Sequence, residues 1–231
     1  MAAWCRGRAL EIMKQVKMDL IIAPADLAPD TLLASSWYNE FWKNNHLAIV
    51  EAFLAVTRLS FQQQEIIVNV RPGTFATAGN ADNPMILPGD FSSDEERLLI
   101  VMHELGHRLL GGNALSPIGL GLIHDAAKID DDQFQLFEHR HLYLFLYDVI
   151  EAAFGRNIAK ACEKYSLETA DSNYIAAWRW AMNMNKGRRK YALSVLSGQA
   201  LTREQWHRRD STSIRLRDPV AWFESLAGAT A

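Results

Sequence analysis

The sequence predicts a helix-rich α+β fold with a small, partly antiparallel sheet and a C-terminal helical extension. Apolar residues recur at helical spacing through most of the 231 residues. Three short stretches, 20–24, 64–70 and 84–88, read instead as extended chain, and turn-rich segments separate them. A hydrophobic content of 49% with 22% charged residues is that of a globular chain able to bury a sizeable core.

Residues 9–17 have helical patterning, and Leu20-Ile21-Ile22-Ala23-Pro24 is an extended piece closed by proline. A helix follows over 31–59, where Trp37, Tyr38, Phe41 and Trp42 form a core stripe. The β-branched run Gln64 to Val70 is a strand, turned by Arg71-Pro72-Gly73. Prolines at both ends make Pro84-Met85-Ile86-Leu87-Pro88 a short or edge strand, the kind that can pair with an extended peptide.

The next helix opens on a capping box, Ser92 with Glu95 or Ser93 with Glu96. Leu98, Val101, Met102, Leu105 and Leu109 give it a core-facing stripe, and Gly111-Gly112 supplies the stop. A Gly-rich loop over 111–123 leads to His124. Asp130-Asp131-Asp132 then caps a single long helix running to Phe154, with Gly155 at its end. Its middle, Leu142 to Tyr147, is apolar all round, so the helix belongs in the core. Further helices are expected over 158–165, 172–184 and 188–196. The expected organisation is a metal-binding core, 1–155, with a helical extension, 156–231, packed on it.

Several function classes are disfavoured. A net charge of -3 gives no reason to expect nucleic acid, and Lys186-Gly187-Arg188-Arg189-Lys190 reads as a solvated basic turn. No phosphate-loop pattern is present. Cys5 and Cys162 do not make a disulfide framework, and no apolar run reaches signal-peptide or membrane-spanning length, so a cytoplasmic protein without membrane contact is expected.

The chemistry lies in His103-Glu104-Leu105-Gly106-His107. Histidines four residues apart on a helix share a face, about one turn of rise apart, so both imidazoles can reach one metal ion. Glu104 then sits where it can take a proton from a water on that metal. The segment resembles the active-site helix of the zincin metallopeptidases. The order of helix, strands, metal helix and second ligand-bearing helix is similar to their minimal core, including short bacterial members of the ImmA/IrrE type. The resemblance implies zinc on His103 and His107, Glu104 as general base, and a peptide or protein substrate. It excludes the metzincin branch, whose extended motif needs Gly and His where this chain has Leu110 and Asn113.

A third ligand must then come from the long downstream helix. Asp148 is preferred, as the acid embedded in its apolar middle, where a buried carboxylate needs a partner that offsets its desolvation and a metal ion or a metal-bound His would serve. Glu138 and His141 are the alternates, and Tyr143, Tyr147, His124 and His139 are available to stabilise an oxyanion. The competing reading is a regulatory or binding protein on the same scaffold, with structural zinc or an inactive site.

Overall fold

The computed structural model describes residues 18–79, 83–116, 130–201 and 205. The helix expected over 9–17, His124 and much of the loop before it lie outside the described residues. Strand β1 (Asp19–Pro24) leads into the long helix α1 (Pro29–Thr57), followed by β2 (Glu65–Arg71) and β3 (Met85–Pro88). Then come helices α2 (Asp94–Gly112), α3 (Asp131–Tyr143), α4 (Leu146–Phe154), α5 (Arg156–Thr169), α6 (Ser172–Asn183) and α7 (Lys186–Ser197). The architecture is helix-rich α+β, as expected from the sequence.

The sheet departs from expectation: its order is β1-β2-β3, and both pairings are parallel. A parallel neighbour requires a crossover, and α1 provides it between β1 and β2. The antiparallel element among the described residues is an isolated bridge, where Thr77 and Ile86 exchange both backbone hydrogen bonds. Ile66, Val68 and Val70 point to the buried face, matched in register to Leu20, Met85 and Leu87.

The Thr77 bridge also changes the role of β3. Residue 86 is paired on that side, while residues 84 and 88 are prolines with no N–H to offer. The Pro88 carbonyl accepts the Tyr38 hydroxyl at 3.1 Å. The outward edge of this part of the sheet therefore belongs to the segment carrying Thr77.

One hydrophobic core runs from Met18 to Leu196 and includes Cys162, Trp178 and Leu193. The helices after residue 155 thus share the core of the strands and α2. α6 packs along α3, and α5 packs on both α2 and α4.

The expected single helix over 130–154 is two helices. Asp130 caps α3 by accepting from the Gln133 amide at 2.8 Å, and the chain breaks at Leu144–Phe145 before α4 begins. No Gly or Pro marks the break. Phe145 is fully buried, against Phe53 at a ring separation of 6.2 Å and close to Gly106. Packing around this ring accompanies the change of direction, a tertiary effect that helical periodicity does not carry.

Candidate metal centre

The start of α2 follows its sequence. Ser93 is the N-cap and accepts from the Glu96 amide, while the Glu96 carboxylate reaches back to the Ser92 amide and hydroxyl. The helix ends differently from expectation. Gly111 and Gly112 are still helical, and the left-handed residue that closes the turn is Ala114 at φ 54°, with the Leu115 amide bonded to Leu110 O at 2.8 Å. Asn113 clamps this end by donating to the carbonyls of Ser60 and Leu109.

Within α2, the one-turn spacing brings His103 Nε2 to 3.0 Å from His107 Nε2. The third member of the group is His139 on α3: its ring centroid lies 5.2 Å from that of His103 and 5.1 Å from that of His107. One ligand atom from each of the three lies within 4.8 Å of the others. On a tetrahedral zinc with bonds of about 2.0 Å, two imidazole nitrogens stand about 3.3 Å apart, close to the His103–His107 separation.

Protonation states suit a cation. Burial pushes His107 down to about 3, with His139 and His141 adding to the shift. It pushes His139 down to about 4, against the opposing effect of the Gln135 carbonyl. His103 is held well below its ordinary value by burial, then by its two histidine neighbours. Three neutral imidazoles therefore converge with lone pairs available. The Nδ1–H of His139 donates to Gln135 O at 2.7 Å, which leaves its Nε2 as the nitrogen that could ligate a metal. Glu138 Oε1 stands 3.8 Å from His107 Nδ1, placed to orient that ring from behind.

Glu104 is buried beside the cluster. Burial, and then the negative charge of Glu138, raise its carboxyl to about 8, opposed by a hydrogen bond from the Ala78 backbone amide. In an extended segment successive amides point to opposite sides, so Thr77 serves β3 while Ala78 serves Glu104. Arg108 donates to Asn83 O at 2.9 Å and ties the chain before β3 to the same helix.

The structure separates the residues expected as the third ligand. Asp148 lies on α4, outside the cluster, and its carboxylate accepts from Arg189 Nη2 at 3.2 Å, with Lys186 Nζ at 3.7 Å. The expected partner of this buried acid was a metal ion or a metal-bound His; the partner in the structure is a guanidinium from α7. Glu138 stands behind His107. His141, two residues beyond His139, is not one of the three converging imidazoles, and its Nδ1–H donates to Phe137 O at 2.6 Å.

His139 was expected only as a hydrogen-bond donor. Its position three and four residues before Leu142 and Tyr143 extends their buried stripe, and that spacing was the available signal for it. Tyr143 is sealed against Trp178 at a ring separation of 4.6 Å and hydrogen-bonded to Ser166. Tyr147 is hydrogen-bonded to Arg156, near Glu151 and Glu163. Sequence reasoning missed Tyr174 of α6, whose ring centroid is 3.9 Å from His139 and which stacks over His103 at 5.8 Å. Burial raises its phenol, and the negative charges of Glu104 and Glu138 add to the shift.

Among the described residues, no helix is long and apolar enough to cross a membrane. No protein-family model, curated protein or solved structure matches this chain.

Proposed function

We propose that the chain is a zinc-dependent hydrolase of minimal zincin build that cleaves peptide bonds, with Glu104 as general base. The observation that carries this reading is the convergence of three imidazoles, two from α2 and one from α3, beside the buried carboxylate of Glu104 on α2. The donor set fits zinc, since three imidazoles make a familiar catalytic site with one position left for water or substrate. Zinc held by His103, His107 and His139 supplies Lewis acidity, lowering the pKa of a coordinated water and polarising a carbonyl. Glu104, buried on the same helix as His103 and His107, is placed to take a proton from that water and pass it to a leaving amine.

The sheet edge supports a peptide substrate. The segment carrying Thr77 and Ala78 pairs with β3 through Thr77 and reaches Glu104 through the Ala78 amide. A peptide laid along it by backbone hydrogen bonds would pass the carboxylate.

The test uses the full chain, dialysed with zinc and then freed of excess metal, against a broad peptide library. Wild type is expected to hold about one zinc and to cleave. Glu104→Gln should keep the metal, since an amide there removes no ligand, and lose activity by roughly two to four orders of magnitude. Equal cleavage by Glu104→Gln removes Glu104 as the base. Zinc binding with no cleavage by wild type favours a binding protein and overturns the hydrolase.

A further inference from the structure

Resting on the hydrolase reading, one further role can be assigned. Attack on a carbonyl places negative charge on its oxygen, and a fixed neutral donor nearby stabilises that charge. His139 belongs to the metal cluster, Tyr143 is sealed and bonded to Ser166, and Tyr147 is engaged with Arg156. Tyr174 is differently placed. It is half-buried, packs against His139 at an interplanar angle of 40° and stacks over His103 at 21°, and its hydroxyl makes no hydrogen bond to any described residue. Asn173 Nδ2 donates to Asp132 Oδ1 at 3.1 Å, fastening the start of α6 to the start of α3, the helix that carries His139.

We propose that Tyr174 is a catalytic residue, its phenol donating a hydrogen bond to the substrate carbonyl oxygen as that oxygen gains charge. The proton stays on the phenol and no covalent bond forms. The helices after residue 155 are then part of the active centre. Tyr174 also fills space against two metal-site imidazoles, so its removal must be read without disturbing packing. Tyr174→Phe keeps the ring and deletes only the donor.

The experiment loads wild type and Tyr174→Phe, as full chains, with cobalt(II) in place of zinc. Acetohydroxamate, a small oxyanion that takes an open metal position, is titrated by the cobalt absorption bands, and peptide hydrolysis is measured on the zinc forms. Metal content should be the same in both proteins. Tyr174→Phe should bind acetohydroxamate about tenfold to a hundredfold more weakly, the effect of losing one hydrogen bond to a charged group. Its kcat should fall roughly a hundredfold to a thousandfold with KM nearly unchanged. Equal acetohydroxamate affinity and equal kcat overturn the role of Tyr174 and leave the hydrolase standing. Wild type that takes up no metal overturns both.

Discussion

Gly106, between the two histidines of α2, is where helix packing and metal geometry meet. A Cβ built there would fall inside van der Waals contact of Leu142 Cδ1 and 3.5 Å from Phe145 Cε2. Leu142 and Phe145 are both fully buried, so neither can swing into solvent to make room. Leu142 lies one turn after His139 on α3, so relief of the clash by moving that helix carries the third imidazole away from the other two. Overpacking of this kind costs about 1–3 kcal/mol. The better helix propensity of alanine offsets about 1 kcal/mol of that. Gly106→Ala should therefore fold, with Tm lowered by a few degrees.

Its effect on metal should be larger than its effect on stability, because ligand distances tolerate only about 0.2 Å. Zinc affinity, measured by competition with a chromophoric chelator, should fall by about tenfold to a hundredfold, comparable to losing an orienting partner of a ligand. Gly106→Ala combined with Leu142→Ala removes the clashing atoms and should recover much of that loss, despite the instability of the cavity. Wild-type affinity in folded Gly106→Ala, or no recovery in the double variant, would refute the packing argument.

Acid should destabilise the metal-free protein. His141 is held down at about 4 by burial, against an ordinary value of 6.5, so the unfolded chain takes up the proton first. The corresponding stability is fully present above about pH 6.5 and is lost as pH falls towards about 4, roughly 3 kcal/mol for this one side chain. His107 and His139 act in the same sense. Urea midpoints at pH 7 and pH 4.5 check this, and equal midpoints contradict it. Asp148→Ala should destabilise by about 3–5 kcal/mol because it leaves the buried Arg189 guanidinium without its carboxylate. A thermal melt of Asp148→Ala unchanged from wild type would count against that pairing.

How much of this was legible can be traced residue by residue. Helix α2 was, because its cap, apolar stripe and one-turn histidine spacing are all local patterns. The parallel sheet was legible in principle: α1 lies between the first two strands, and a helical crossover makes them parallel neighbours. The break at Leu144–Phe145 was not, since it coincides with the packing of Phe145 on a helix nearly a hundred residues earlier in the chain. Asp148 misled for a related reason. Its burial was readable from its apolar neighbours, but its partner Arg189 lies in the first turn of helix α7, in a basic stretch that reads from sequence as a solvated turn. His139 was obscured by the polar run around it, although its spacing to Leu142 and Tyr143 places it on the buried face. Tyr174 required knowing that α6 packs along α3, which no local pattern encodes.

The proposed metal-binding unit is three imidazoles, with His139 rather than Asp148 as the third. Zinc content per chain, measured on wild type, His139→Ala and Asp148→Ala after zinc loading and removal of free metal, tests this most directly. Wild type and folded Asp148→Ala should each retain about one zinc, and His139→Ala should retain little. Full zinc in His139→Ala together with metal loss in Asp148→Ala would contradict it.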